Sequence, residues 1–485
     1  MIPLTLAEVA HVVGGRTHDI PDSGVRVTGP VVRDSREVAP GALFVAFAGE
    51  RVDGHDFAAG AIADGAVAVL AARPVGVPAI VVDDVQAALG RLAQHVIERL
   101  GATVVALTGS AGKTSTKDLI AQLLEKVAPT VWTPGSLNNE IGLPLTALSA
   151  DEHTRHLVLE MGARGIGHIR YLTGLTPPRI GLVLNVGTAH IGEFGGREQI
   201  ALAKGELVEA LPSEAEGGIA VLNADDPLVS AMKSRTKARV VTFGEAAEAD
   251  VRAENVTLNE RGQPVFTLHT PSGCADVTMR LYGEHHVSNA LAAAAVAREL
   301  GMPVEEIATA LSAAGTLSHW RMEVTERPDG VTVVNDAYNA NPESMRAALR
   351  TLAAMGRSAQ ARGGRTWAVL GRMAELGERS LTEHDAVGRL AVRLNVSKLV
   401  AVGGTEAAWL QMGAYNEGSW GEESVHVSDA EAAVDLLRAQ VRPGDVVLVK
   451  ASRSVGLESV ALALIEAGPG GPDGFGGPAR EGAAR

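Results

Sequence analysis

Residues 108–116 read T-G-S-A-G-K-T-S-T, a set of side chains suited to an anion. Gly109 and Gly112 let backbone N–H groups of the loop, including those of Ser110, Ala111 and Ser115, approach phosphate oxygens, while Lys113 brings a neutralising positive charge. Thr114 carries a hydroxyl of the kind that ligates nucleotide-bound Mg²⁺. The unbroken apolar run 104–107 precedes the loop and a helical stretch, 117–126, follows it. That order places the loop at a helix N-terminus, where the helix dipole favours negative charge. Only Ser110 and Ala111 separate the glycines, a shorter loop than the usual four intervening residues. The alternative is a glycine-rich turn without a ligand.

Three further residues stand at expected strand ends or loops near this one. Glu160 closes the run 156–160, and a carboxylate there is placed to hold a nucleotide's Mg²⁺. Taken alone it reads as a solvated loop residue; its position relative to Lys113 favours the ligand. His190 lies in N-V-G-T-A-H-I-G-E-F-G after the next strand, where a metal ligand and a structural histidine are both open readings. Lys204 reads as an ordinary exposed lysine near a helix start. A free ammonium cannot bind a cation, so a metal role requires modification of the amine.

The elements that must position these groups follow from periodicity. Short apolar runs at 25–27, 43–46, 67–70 and 80–82 alternate with Ala-rich helical stretches, and a helix at 85–100 stops at Gly101. Runs at 104–107, 156–160, 180–185, 219–223 and 239–243 form a second series, and 331–335, 366–371, 398–403 and 446–450 a third. Continuous apolar strands alternating with helices imply parallel sheets covered on both faces, with ligands at the strands' C-terminal ends. The expected fold is therefore α/β with three domains. These are a small N-terminal α/β unit at 1–100, a central parallel-sheet P-loop ATPase domain at 101–324, and a doubly wound, Rossmann-like domain at 325–467. A Gly- and Pro-rich tail, 468–485, has almost nothing to bury and is expected to be disordered.

Length and composition agree. The 485 residues suit about three domains, and 46% apolar against 21% charged residues suits a chain that buries cores. With 43 basic and 57 acidic residues the formal charge is −14, so no general attraction for nucleic acid is expected and an anionic ligand must be held locally. The single cysteine, Cys274, makes neither an internal disulfide nor a zinc cluster. The start has no basic, apolar leader, and the most apolar stretch, 60–82, is broken by Asp64, Arg73, Pro74 and Pro78. A cytoplasmic protein without membrane insertion is expected.

With these residues assembled, the chain resembles the Mur ligases, ATP-dependent amide-forming enzymes of peptidoglycan assembly. The short loop, Glu160, the His190 loop and A-K-G-E occur in the family's order, and the resemblance runs from Asp34 to Ser459. Further motifs carry it: D-S-R-E-V-A-P-G-A-L-F-V-A at 34–46 with G-H-D-F at 54–57, N-N-E-I-G-L-P at 138–144, N-D-A-Y-N-A-N-P-E-S-M at 335–345, M-A-E-L-G at 373–377 and V-K-A-S-R-S at 449–454. Together they imply the activity that adds D-alanyl-D-alanine to UDP-N-acetylmuramoyl-tripeptide through an acyl phosphate. Rival readings are a family member adding a different amino acid, a folylpolyglutamate synthase-like ligase, and a nucleotide-binding partner protein without turnover. The first lacks its usual D-N-P-R segment here.

The resemblance also implies roles. Lys113, Glu160, His190 and Lys204 are the catalytic group. Thr114 and Glu160 hold one Mg²⁺, while His190 and a carbamylated Lys204 hold a second. Asn289 contacts adenine, with Asn223, Asp225 and Asp226 shaping that edge, and Arg321 and Asp336 contact phosphate and ribose. For Asn289 the competing reading is a helix N-cap. Ser35, Arg36, Asn138 and Asn139 face the UDP-sugar substrate, though Arg36 also reads as a residue of a solvated turn. A monomer is expected. Two positions depart from the family pattern: His286 stands where relatives often have Asn, and Arg372 where they often have Asp, which argues against a metal ligand at 372.

Overall fold

The computed structural model describes residues 1–49, 52–188 and 191–466. His190 and the tail expected to be disordered, 468–485, lie outside the described residues. The chain divides into two compact units, one of residues 1–259 with 263–318, the other of 260–262 with the chain from His319 onward.

In the first unit, a five-stranded sheet has the order Arg16–His18, Ala79–Val81, Ala68–Ala71, Leu43–Val45, Val31–Val32, parallel except for its first pair. The apolar run at 25–27 is not part of it: Arg26–Val27 pairs antiparallel with Leu4–Thr5 in a separate two-stranded ribbon. The helix Val85–Leu100 starts where the Asp84 side chain accepts the Ala87 N–H at 3.0 Å and ends at Gly101 in the left-handed conformation. Its buried stripe, Leu89, Leu92, Ala93 and Val96, shares one apolar core with Leu43 and Leu70 of that small sheet and with Leu143, Leu157 and Leu172 further on.

The larger sheet of this unit has nine strands. Seven run parallel, in the order Thr130–Trp132, His156–Glu160, Thr103–Thr108, Ile180–Val183, Ile219–Asn223, Arg239–Gly244, Val251–Leu258. Two antiparallel strands, Pro264–Thr270 and Gly273–Thr278, extend the edge, so the sheet is mixed where the sequence suggested a purely parallel one. Pro264–Thr270 buries every second residue, as a strand covered on one face does. That alternation differs from the continuous runs of the parallel strands. On one face the helices Lys113–Leu124 and His285–Glu299 pack over Val105, Leu107 and Val221. The second of these helices is apolar nearly all round, with 290–297 fully buried, as a helix inside a core must be.

The second unit carries a six-stranded sheet in the order Glu323–Glu326, Thr332–Asn335, Val446–Lys450, Thr366–Leu370, Lys398–Val402, Ser424–Val427. Only its first pair is antiparallel. Helices such as Pro342–Ala361 and Ser380–Arg393 separate the parallel strands in sequence, the doubly wound pattern expected.

Candidate active site

Register brings the site together. Glu160 lies opposite Leu107 on the neighbouring strand, and on the other side Val183 lies opposite Thr108. The residues following these three strands therefore meet at one edge of the sheet. There the helix Lys113–Leu124 begins at Gly112, whose left-handed φ of 81° an L side chain would resist. A Cβ at Gly112 would also lie 2.6 Å from Asn289 Oδ1, and one at Gly109 2.9 Å from Leu184 Cβ. Both glycines are needed for close approach.

Asn185, just past its strand, organises the loop. Its Oδ1 accepts the N–H groups of Ser110 and Ala111, each at 2.9 Å, and its Nδ2 donates to Ala111 O at 3.1 Å. The Ser110 hydroxyl in turn accepts the Gly187 N–H at 2.9 Å. Two of the loop N–H groups that the glycine pattern offered to phosphate are thus held by a side chain. Lys113 donates from Nζ to Gly109 O at 2.9 Å, folding its charge back over the loop.

Thr114 is buried and donates to Glu160 Oε2 at 2.8 Å, and its oxygen lies 3.3 Å from Ser136 Oγ. Asn138 Nδ2 donates to the other carboxylate oxygen, Oε1, at 2.7 Å. Glu160 is only 1% exposed, so the reading of it as a solvated loop residue is wrong. A buried carboxylate, two hydroxyls and an amide form a hard-oxygen group of the type Mg²⁺ prefers. Asn139 Oδ1 accepts the Gly142 N–H at 2.9 Å, at the start of the helix Gly142–Leu148.

Lys204 is 5% exposed and sits in the helix Arg197–Glu209, a correction to its reading as an exposed lysine. Burial, and then the charge of Lys113, push its pKa well below the usual lysine value. Its partner in the expected metal pair, His190, lies outside the described residues; among those described, no cluster of three or more His, Cys, Asp or Glu is arranged to hold a metal.

Asn289 is buried in the second turn of the helix His285–Glu299, beside Gly112, so it is not that helix's N-cap. Asn223 donates to Leu184 O at 2.8 Å, Asp225 accepts the N–H groups of Glu245 and Ala246, and Asp226 accepts that of Val186 at 2.7 Å. These three side chains brace the loops around the sheet edge. His286 is fully buried beside the His285 ring, with neither ring nitrogen hydrogen-bonded, and burial holds it neutral.

Within the second unit, Arg321 lies between Trp320 and Met322, both in the left-handed region at φ 58° and 50°. Such backbone persists in bulky residues only where surroundings enforce it. Here Asp336 Oδ1 accepts the Met322 N–H at 3.1 Å, and the Arg321 guanidinium stacks 4.3 Å from the centroid of the Tyr338 ring. Asp336 Oδ2 receives the buried Lys450 Nζ at 2.6 Å. Arg321 and Asp336 are thus fixed on one scaffold. Arg372 pairs with Glu406 at 3.0 Å.

Ser35 and Arg36 open a short 3₁₀ turn in the first unit. Arg36 is highly exposed and ion-paired with Asp34, whose carboxyl the guanidinium and the Arg36 N–H hold down at about 2. Sequence reasoning missed Asn185, Ser136, Thr133 and Lys117. Only Asn185 carried a signal, as a polar residue closing an apolar run on the ligand side.

Three family descriptions match the chain: the Mur ligase family catalytic domain at 31–96, the Mur ligase middle domain at 107–297, and the Mur ligase glutamate ligase domain at 320–453. A UDP-N-acetylmuramoyl-tripeptide--D-alanyl-D-alanine ligase from Mycobacterium leprae is 51% identical, over 96% of this chain and 99% of that one. A crystal structure of MurF from Acinetobacter baumannii superposes with a TM-score of 0.84 at 32% identity, covering 96% of this chain and 99% of that one. A MurF ligase from Thermotoga maritima in complex with ADP gives 0.77 at 32% identity, covering 90% and 97%.

Proposed function

The chain belongs to the Mur ligase family, and from that premise we propose that it joins D-alanyl-D-alanine to UDP-N-acetylmuramoyl-tripeptide with conversion of ATP to ADP and phosphate. The observation that carries this reading is the 51% identity, over nearly the whole of both chains, to a ligase of that name. The product is the UDP-linked pentapeptide precursor of peptidoglycan.

A carboxylate does not condense with an amine in water unaided. Transfer of the γ-phosphoryl group to the tripeptide carboxylate gives an acyl phosphate and ADP. The unprotonated amine of the dipeptide then attacks the acyl carbon, and phosphate leaves. The first step crowds anionic oxygens together, and Lys113 at the helix N-terminus offsets their repulsion. Mg²⁺ supplies further charge neutralisation when bound. The Thr114 hydroxyl and Glu160 carboxylate, 2.8 Å apart in a hard-oxygen group, fit one such ion.

A second ion is assigned to His190 and Lys204. Lys204 supports this through burial: a neutral amine adds CO₂, releases a proton and becomes an anionic oxygen ligand. Asn289 is assigned to adenine, Arg321 and Asp336 to the nucleotide, and Ser35, Arg36, Asn138 and Asn139 to the UDP-sugar. The same reading assigns UDP-sugar binding to 1–100, ATP to 101–324 and dipeptide to 325–467, in a monomeric cytoplasmic enzyme. No helix of the described residues is long and apolar enough to cross a membrane.

The test is phosphate release from ATP by purified protein. It should require both UDP-N-acetylmuramoyl-tripeptide and D-alanyl-D-alanine, with the pentapeptide mass appearing, and should be lost in Lys113→Met. Release with a free diamino acid in place of the dipeptide would overturn the substrate assignment.

A further inference from the structure

One buried cation near the site has no part in the chemistry above. Lys117 lies one turn past Lys113 in the same helix and is 1% exposed. Its Nζ donates to Thr133 O at 2.7 Å and Gly135 O at 3.1 Å, and it pairs with Asp118 Oδ1 at 2.9 Å. Burying an ammonium is costly unless its surroundings satisfy it, so two backbone carbonyls and a carboxylate gathered around one are an arrangement to be explained.

What Lys117 grips is the turn 133–136, and that turn ends on the site. Thr133 Oγ1 accepts the N–H of Glu160 at 3.2 Å and reaches Val158 O at 3.4 Å, so Thr133 fixes the end of the carboxylate's strand. Three residues on, Ser136 Oγ lies 3.3 Å from Thr114 Oγ1, which itself contacts Glu160. Between these two anchoring residues sits Gly135, in the left-handed region at φ 55°. Backbone bonds hold the turn at its two ends, Thr133 N–H to Val158 O at 3.0 Å and Leu137 N–H to Pro134 O at 3.3 Å, and Lys117 binds the carbonyls on either side of Pro134 between them.

We propose that Lys117 is a positioning residue for the Mg²⁺ end of the nucleotide site: its ammonium clamps the 133–136 turn so that Ser136 and Thr133 hold Thr114 and Glu160 in ligating geometry. The proposal rests on the reading of Thr114 and Glu160 as Mg²⁺ ligands given above. It separates two lysines four residues apart. Lys113 acts on phosphate charge, whereas Lys117 acts through the backbone it binds.

The experiment is calorimetric binding of ADP to the full-length protein, once with excess Mg²⁺ and once with EDTA. The unaltered protein should bind ADP more tightly with Mg²⁺. If it does not, the metal-site reading fails before the lysine is tested. In Lys117→Met the gain from Mg²⁺ should fall at least tenfold, while ADP affinity in EDTA changes less than twofold. A purely structural loss would lower both together. Lys117→Gln, which keeps one N–H donor in the cavity, should show the same split at smaller size and serves where the methionine variant does not fold. Ser136→Ala, altering a partly exposed residue, should reproduce the split from the other end of the clamp. Equal losses with and without Mg²⁺, or an unchanged gain from Mg²⁺ in the lysine variants, would overturn the proposal.

Discussion

Asn185 and Ala111, 74 residues apart in sequence, exchange two hydrogen bonds, Ala111 N–H to Asn185 Oδ1 at 2.9 Å and Asn185 Nδ2 to Ala111 O at 3.1 Å. The phosphate loop is therefore held in shape by the strand beside it, with Ser110 N–H also bound to the same oxygen. An anion arriving at the loop meets a preformed turn at a helix N-terminus, where the helix dipole favours negative charge.

Removing that brace should loosen the loop without touching the other substrates. Each hydrogen bond contributes about 0.5–1.5 kcal/mol, so Asn185→Ala should raise the KM for ATP by roughly tenfold. The KM for D-alanyl-D-alanine should stay within about twofold. Steady-state phosphate release with each substrate varied in turn checks this; parallel rises in both constants would contradict it.

Glu160 and Thr114 should fail differently from Asn185. Glu160→Gln keeps the shape and the bond to Asn138 but removes the buried negative charge, so the Mg²⁺ concentration for half-maximal rate should rise by about tenfold or more, with kcat lower by roughly 10²-fold. Thr114→Val should shift the Mg²⁺ requirement in the same direction. Titrations of rate against Mg²⁺ at saturating ATP read both.

Lys204 ties activity to stability with opposite signs. Its folded pKa lies below the ordinary 10.5 because of burial, then Lys113. Between those two values the unfolded chain binds more protons than the folded one, so stability rises with pH through that window. In CO₂-free buffer, Lys204→Met should raise the melting temperature at neutral pH, and the gain should shrink as pH approaches 10.5. The same variant should lose activity by about 10²-fold or more, and Lys204→Ala should regain part of it with a short-chain carboxylic acid supplying the missing oxygens.

In the second unit, the buried pair Lys450–Asp336 predicts a stability effect. Burial lowers the Lys450 pKa despite the attraction of Asp336, so the pair gains little over apolar residues. Breaking it is costly all the same, since Asp336 would stay buried without its cation. Lys450→Met should destabilise the protein by about 3–5 kcal/mol, read as an earlier transition in urea unfolding followed by far-ultraviolet circular dichroism. A midpoint within error of the unaltered protein would contradict it.

The local pieces were legible because their signals are local. T-G-S-A-G-K-T-S-T states a turn, a helix start and a charge in nine residues, and the structure has Lys113–Leu124 beginning at Gly112 as that pattern requires. The same holds for Val85–Leu100, bounded by Asp84 and Gly101. The antiparallel strands Pro264–Thr270 and Gly273–Thr278 were less visible, since the proline and glycine that open them read as turn signals.

What the residues determined on their own was a kind of chemistry: an anion loop, a strand-end carboxylate and a family to which both belong. Which lysine folds back onto its own loop, which is clamped to the carbonyls of a distant turn and which is buried with its pKa pushed down was decided by the tertiary structure. Lys113, Lys117 and Lys204 are the same residue type, and their roles diverge through burial and through partners such as Gly109, Thr133 and Gly135. For Lys117 those partners lie 16 and 18 residues away. Desolvation and long-range hydrogen bonding depend on what the fold brings within 3 Å, and no spacing along the chain encodes that directly.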